Sequence, residues 1–375
     1  MDWFKVKTSR TDVHFCEREA ALQRMKAWCD GGRTLVVTSE GTIRRLGLEV
    51  WVKSICSCGG MLLTDVPSNP NVAIVSRALK AVDGFAFERV IAIGGGSAID
   101  LAKAVCALKP SVSEGTYDEV ERIISEKNYI QRPSVCSIMA VPTTAGTGSE
   151  VTQWATVWDT RRKKKYSLDM PSLCPQEAVI VPEFTLTMGH RLTISTGLDA
   201  LSHAMEAFWS KARNPVSQAL ALDAVRRIHR TLPDVVKDPQ NTCLRKEMCI
   251  ASLLAGEAFA MTRTTACHSI SYPLTLLYGV PHGLAAAALM PQVAERNQEA
   301  VPEIWRMLDI FGGTVGFDAW LKQMLTEAEF TLGQYGVNET QVSIIAEQAF
   351  TLGRMDNNPV NFNRDDVGKM LTNIL

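Results

Sequence analysis

Four short apolar runs rich in β-branched residues, TLVVT (34–38), VIAI (90–93), VCSIMAV (135–141) and AVIV (178–181), alternate with helix-patterned stretches between residue 33 and about 185. Runs that are apolar at every position, and not at alternate ones, belong to strands buried on both faces. That is the condition of a parallel sheet covered by helices. From about residue 190 the strand signal stops. Segments 195–211, 214–232, 243–260, 264–278, 283–298 and 315–328 carry helical spacing and the good helix formers Ala, Leu, Met and Glu. The expected architecture is an α/β domain with a parallel sheet over 1–185, followed by an all-helical domain over 186–375. No internal repeat or low-complexity tract interrupts either half.

Composition narrows the function. The 375 residues carry 39 basic and 40 acidic side chains. No global field attracts nucleic acid or an anionic membrane, so an anionic ligand has to be gripped locally. No stretch approaches the roughly 18 consecutive apolar residues of a membrane span. Asp2, Lys5, Lys7 and Arg10 leave no secretory apolar run at the start, and a cytoplasmic protein is expected. The ten cysteines include one close pair, Cys56 and Cys58. A CxC spacing suits neither a zinc ribbon nor a thioredoxin motif, and reduced thiols, mostly in the core, are expected.

Two loops follow predicted strands. VIAI runs into Gly94, Gly95, Gly96 and Ser97 and then into the helical AIDLAKAVCAL. Glycines at a strand-to-helix turn let the backbone approach a phosphate, and the helix start offers free N–H groups and a positive dipole end. The pattern is a nucleotide pyrophosphate site in outline, with a plain tight turn as the alternative, because it is not GxGxxG. After Val141 comes PTTAGTGSE (142–150). Its hydroxyls and glycines at the carboxyl edge of a buried strand argue for cofactor contact over a merely solvated loop.

The helical half concentrates histidine. Asp199 and His203 are four apart in TGLDALSHAMEAF, so a helix places both on one face, with Glu206 one step further round. His268 and His282 lie fourteen apart in CHSISYPLTLLYGVPHG, and only six histidines exist in the chain. One carboxylate and three imidazoles suit Fe²⁺ or Zn²⁺ with a position left for a substrate oxygen. The competing reading is a set of hydrogen-bonded core histidines.

These residues resemble the iron-containing (group III) alcohol dehydrogenase family over nearly the whole chain. The carriers are GGGSAIDLAK (94–103), PTTAGTGSE (142–150), GLDALSHAMEAF (197–208) and PHG (281–283). The resemblance implies a dehydroquinate synthase-like fold, an N-terminal dinucleotide-binding domain and a divalent metal held by Asp199, His203, His268 and His282. It implies that Gly94, Gly95, Gly96 and Ser97 hold the pyrophosphate, with Asp100, Thr143, Thr144, Thr147 and Lys165 lining the cofactor cleft. The activity implied is reduction of a small aldehyde with NAD(P)H and a Lewis-acidic Fe²⁺ or Zn²⁺. A homodimer is a family-level expectation. The rival readings are a generic reductase of short-chain aldehydes or diols and a non-catalytic scaffold that kept the fold.

Two departures matter. Four residues after His268 the family usually has a second histidine, and here stands Tyr272. With an unperturbed pKa of roughly 10 a phenol shuttles protons less readily near neutrality. Tyr272 is a proton donor, a substrate contact or packing; with His268 it forms the expected catalytic pair. Ser39 ends the first strand run where NAD-preferring relatives carry an acidic residue. Without that carboxylate a 2′-phosphate is not repelled, and Arg44 or Arg45 could pair with it, which leans the cofactor toward NADPH, while Glu40 next door keeps NADH open. The segment CHSISYPLTLLYGVPHG resembles one branch in particular, the phosphonoacetaldehyde reductases, whose product is 2-hydroxyethylphosphonate in phosphonate biosynthesis. Burying such an anion demands cations. Arg354 and Arg263, with Thr264, are the expected cradle, and Trp154 and Phe259 the expected pocket wall; surface salt bridges are the alternative for both arginines.

Overall fold

The computed structural model describes residues 9–30, 32–133 and 136–375. Asp2, Lys5 and Lys7, and Val135 at the head of the VCSIMAV run, lie outside the described residues. The chain divides into two compact units, one of Ser9–Thr144 and Ser149–Thr187, the other containing Ala145–Gly148 and Met188–Leu375.

The first unit contains β1 (Asp12–Phe15), α1 (Arg18–Cys29), β2 (Thr34–Thr38), α2 (Glu40–Leu46), α3 (Glu49–Ser57), β3 (Met61–Leu63) and α4 (Val72–Ala81). It continues with β4 (Arg89–Gly94), α5 (Gly96–Leu108), α6 (Tyr117–Ser125), β5 (Ser137–Pro142), β6 (Trp154–Asp159), β7 (Lys164–Asp169) and β8 (Glu177–Ile180). Six strands form one sheet in the order β1-β8-β5-β4-β2-β3, every neighbouring pair parallel. Leu35, Val37, Val90, Ala92, Ile138 and Ala140 enter the core on one face. Their sequence neighbours Val36, Ile91, Ile93, Met139 and Val141 enter the core on the other. Each buried Val or Ile is worth about 1.5–3 kcal/mol over an exposed one. Because both faces collect that gain, the strands are apolar at every position.

Register places the loops. Thr38 pairs with Ile93, and Gly94 with Pro142. Ser39, Gly95 and Thr143 therefore leave the sheet on neighbouring strands at its carboxyl edge, where ligands of open α/β sheets sit. β6 and β7 form a separate antiparallel hairpin. Asp159 makes its turn by accepting the N–H groups of Arg161 at 3.0 Å and Arg162 at 2.8 Å. The buried Glu121 of α6 anchors the hairpin by accepting from Arg162 and Tyr166, both at 2.7 Å.

The second unit is helical: α7 (His190–Trp209), α8 (Pro215–Lys237), α9 (Thr242–Thr262), α10 (Ala266–Tyr278), α11 (His282–Ala287), α12 (Met290–Asn297), α13 (Trp305–Leu308), α14 (Thr314–Glu327), α15 (Glu339–Gln348) and α16 (Arg364–Thr372). α7 is buried on all sides from Thr193 to Trp209, the mark of a central core helix. Among the described residues no helix is long and apolar enough to cross a membrane.

Three sequence expectations are corrected. The helix expected over 283–298 is two helices, because the ring of Pro291 clashes with the carbonyl four residues back, that of Ala287, where α11 ends. None of the ten cysteines is in a disulfide, but only Cys106, Cys249 and Cys267 are buried, so they are not mostly core; Cys56, Cys58 and Cys243 are exposed. Two strands, β1 and β3, lie outside the four apolar runs and close the sheet at its edges.

Candidate metal centre and cofactor loops

On α7 the spacing of four and then three residues puts Asp199, His203 and Glu206 on one face. α10 contributes His268. The chain then turns at Gly279, whose φ of 70° is left-handed, and α11 opens on His282. The three imidazoles converge on one carboxylate oxygen. From Asp199 Oδ1 the Nε2 atoms stand at 3.5 Å for His268, 3.9 Å for His282 and 4.0 Å for His203. The ligand atoms of Asp199, His268 and His282 all lie within 4.8 Å of one another. The His203 ring stacks on that of His268 with centroids 4.5 Å apart. Donors about 2 Å from a shared tetrahedral ion stand roughly 3.3–3.5 Å from each other, so Asp199, His268 and His282 have to draw together by at most about 1.5 Å to share one, and His203 falls outside that set of three.

The opposite ring nitrogen of each histidine is held. His268 Nδ1 hydrogen-bonds Glu206 Oε2. His203 Nδ1 lies 3.2 Å from the Gly146 carbonyl, and His282 Nδ1 lies 3.3 Å from Ser271 Oγ. This arrangement fixes the rings and aims Nε2 inward. Glu206, fully buried, is itself fixed: its Oε1 accepts from Thr265 N at 3.0 Å, Thr265 Oγ1 at 2.7 Å and Cys267 N at 2.8 Å. In contrast, Asp199 Oδ1 and His268 Nε2 are buried without any hydrogen-bond partner. Unpaired polar atoms facing each other in a dry site are costly unless a cation joins them. The oxygen and nitrogen donors fit a divalent transition metal such as Fe²⁺ or Zn²⁺.

The charges are tuned accordingly. Burial raises the pKa of Asp199, but the three histidines outweigh it and hold the carboxyl well below the usual range. Burial pushes His203 down to about 4, against the pull of Asp199. For His268 burial acts downward too, but the charge and hydrogen bond of Glu206, with the Asp199 carboxylate facing Nε2, carry it above the ordinary histidine value. In the metal-free protein His268 is therefore protonated at neutral pH, and a binding ion must displace that proton. Metal affinity should climb about tenfold per pH unit until pH passes the raised pKa. Titrating metal into weakly buffered apoprotein at pH 8 should release close to one proton per ion; an ordinary histidine, already neutral there, would release almost none.

In the first unit, α5 starts directly on the glycine loop with Gly95 as its N-cap. A Cβ on Gly94 would meet Ala98 Cβ at 2.7 Å, so the turn requires glycine. Ser97 Oγ accepts from Asn69 N at 3.1 Å, and Thr143 N donates to the Gly94 carbonyl at 3.0 Å. Thr144 packs against Gly95, 3.3 Å from where a Cβ would stand. The next four residues of this loop, Thr147 among them, group with the helical unit.

Asp100 and Lys103, one turn apart on α5, tie down the residues that follow. Asp100 accepts from Ser149 Oγ at 2.7 Å and Thr156 N at 3.0 Å. Lys103 is 0% exposed and gives its ammonium to the carbonyls of Ser149 at 2.6 Å, Thr152 at 2.7 Å and Trp154 at 3.0 Å. Burial lowers its pKa to about 8, opposed by Asp100, so the ammonium is charged at neutral pH. Lys165 sits on β7, next to Tyr166, which is bonded to Glu121. Ser39 caps α2 by accepting from Thr42 N at 3.0 Å.

Among the residues expected at a substrate pocket, Phe259 stacks face to face on His203 at 4.2 Å. The segment carrying Arg354 lies against the one carrying Arg263. The Arg263 guanidinium lies 3.5 Å from the Cβ position of Gly353, and Asn357 Nδ2 donates to the carbonyls of Thr262 at 2.9 Å and Thr264 at 3.1 Å. Arg263 has φ 63° and ψ 175°, a region essentially reserved for glycine. Arg354 is 7% exposed, and its Nε has no hydrogen-bond partner. Tyr272 is buried, its ring 6.0 Å from that of His282 and nearly parallel to it. Trp154 is on β6, in the sheet unit.

The sequence reading did not single out Asn69 or assign Glu206 a role. Asn69 has a positive φ of 54° and no motif to mark it. Glu206, seven residues after Asp199, carried the helical signal that could have flagged it.

Comparison with known proteins agrees with this geometry. Residues 14–182 match the model of the iron-containing alcohol dehydrogenases, and residues 193–375 match that of the Fe-containing alcohol dehydrogenase family, C-terminal. A phosphonoacetaldehyde reductase of Streptomyces viridochromogenes is 31% identical over 83% of this chain and 82% of its own. Alcohol dehydrogenase 4 of Saccharomyces cerevisiae is 30% identical over 90% of each chain. The crystal structure of a sulfoacetaldehyde reductase from Bifidobacterium kashiwanohense in complex with NAD+ superimposes with a TM-score of 0.86 at 26% identity, covering 100% of this chain and 99% of that one.

Proposed function

The chain belongs to the iron-containing alcohol dehydrogenase family, and on that premise we propose that it is a metal-dependent, NAD(P)H-linked reductase of a small anionic aldehyde, phosphonoacetaldehyde, yielding 2-hydroxyethylphosphonate. The observation that carries the substrate class is the buried guanidinium of Arg354 with its unpartnered Nε. Among the described residues no carboxylate pairs with it; a buried cation without a counter-charge is expensive, and a phosphonate supplies both the charge and the acceptor oxygens. Arg263, on the adjoining segment, is the second cation of the cradle. Its glycine-like backbone is the kind of strain that persists where a side chain is needed.

A bound divalent ion supplies Lewis acidity at the aldehyde oxygen, and the reduced nicotinamide supplies the hydride. The protein does the rest. Asp199, His203, His268 and His282 hold the ion, with Glu206 orienting His268 through its Nδ1. Phe259 keeps one face of His203 dry. Tyr272 Oη is assigned the proton that the product alcohol takes up, its ring steadied against His282. In the other unit Gly94–Ser97, Thr143 and Thr144 bind the cofactor's phosphates and Lys165 contacts the same molecule, while Ser39, lacking a carboxylate, admits NADPH.

Steady-state kinetics test the reading. Arg354→Ala should raise KM for phosphonoacetaldehyde by about 30-fold or more, the worth of a charge-assisted pair, and change KM for propanal less than threefold. Equal changes remove Arg354 from the substrate site. A wild-type enzyme that turns over propanal or a short diol as efficiently as the phosphonate is the generic alcohol dehydrogenase that the yeast relative represents.

A further inference from the structure

Cofactor choice turns on what waits at the carboxyl end of β2, beside the glycine loop. In dinucleotide-binding sheets the adenosine ribose reaches from the pyrophosphate to the end of the neighbouring strand. An acidic residue there binds the 2′-hydroxyl, and an arginine there accepts a 2′-phosphate. β2 is that neighbour, since Thr38 pairs with Ile93 just before Gly94. The position after Thr38 is Ser39, which carries no charge and whose Oγ already caps Thr42 N.

Two arginines follow on α2, and they are not equivalent. Arg45 folds back along the helix: its Nη2 donates to Thr42 Oγ1 at 3.3 Å, and its Nη1 lies 3.0 Å from where a Cβ on Gly41 would stand. Thr42 Oγ1 in turn hydrogen-bonds Ser39 Oγ at 2.9 Å. The guanidinium is thus held over the first turn of α2, next to Ser39, and glycine at 41 leaves it the room. Arg44 is turned about 100° around the helix, on the side of Glu40, four residues earlier. Glu40's charge therefore offsets Arg44 more than Arg45.

We propose that Arg45, folded over Gly41 and Thr42 at the end of β2, is the residue that binds a 2′-phosphate on the adenosine ribose and makes NADPH the preferred cofactor. This rests on the family reading above and assigns one of its open determinants to a side chain. A guanidinium facing a phosphate dianion forms charge-assisted bonds that a neutral ribose hydroxyl cannot match.

Binding of cofactor fragments tests it without turnover. Calorimetric titration of the purified full-length protein should show 2′,5′-ADP bound about tenfold or more tighter than 5′-AMP. Arg45→Ala should remove that preference and leave 5′-AMP within twofold of wild type, Arg45→Lys should keep part of it, and Arg44→Ala should leave it within threefold. If Arg44→Ala and not Arg45→Ala abolishes the preference, the assignment is overturned while the NADPH reading stands. Parallel weakening of both fragments in Arg45→Ala also overturns it, because that marks a structural role. If the wild-type protein binds the two fragments equally, the NADPH reading itself fails and takes the assignment with it.

Discussion

Gly283→Ala should strip the protein of its metal. An alanine Cβ there would lie 1.9 Å from the carbonyl oxygen of Ser195, 2.8 Å from its carbon and 2.9 Å from Asp199 Cβ. The obstructing atoms are mainly backbone of α7, so no rotamer change relieves the clash and α11 has to back away. Overpacking of this kind ordinarily costs about 1–3 kcal/mol. Here the displaced segment begins with His282, and one of the atoms struck belongs to Asp199, a pair whose ligand atoms are 3.9 Å apart. Purified Gly283→Ala should hold under about a tenth of the wild-type metal and lose on the order of a hundredfold in kcat/KM, as a misplacement near 1 Å can cost. Its far-UV circular dichroism should be almost unchanged. Gly189→Ala is the control, since nothing lies within 4 Å of its added Cβ. A Gly283→Ala enzyme with full metal content would show that the α7–α11 approach does not set the site.

Lys103→Met should be the most damaging single change in the sheet unit. The thioether fills the space but gives no hydrogen to the Ser149, Thr152 and Trp154 carbonyls, and it leaves the Asp100 carboxylate without its cation. Removing one partner of a buried pair typically costs about 3–5 kcal/mol. The loss should appear in urea denaturation as an earlier transition of the sheet unit. Since those carbonyls run from the end of the threonine loop to the first residue of β6, the dissociation constant for NAD(P)H should rise, while the metal content, set by the other unit, stays put. Asp100→Asn in the same chain should recover part of the stability, because the stranded charge is then gone. If Lys103→Met melts within about 1 kcal/mol of wild type, the ammonium is not what holds this stretch.

Much of this was written in local sequence, and the remainder required three dimensions. The four apolar runs announced β2, β4, β5 and β8 because those strands are buried on both faces. β1 and β3, DVHF and MLL, are too short and mixed to carry such a signal, and only pairing with β8 and β2 makes them strands. The C-terminal helices α15 and α16 were missed although each opens on a capping box, Asn338 with Gln341 and Asn363 with Asp366. In the metal centre, Asp199 and His203 share a helix face that spacing reveals. The fourteen-residue spacing of His268 and His282 has no helical meaning; the turn at Gly279 and the close approach at Gly283 bring these two together. The family resemblance implies that Asp100 lines the cofactor cleft, and only the fold shows its carboxylate engaged by Ser149 and Thr156.

The donors around Asp199 come from two places roughly eighty residues apart along the chain. An ion gripped by them acts as a clasp that closes a long polypeptide ring, shrinking the freedom of the unfolded chain much as a covalent cross-link would. Starving the protein of its ion would therefore loosen the helical half as well as silence it, and persistence of the folded molecule would track how much free metal surrounds it.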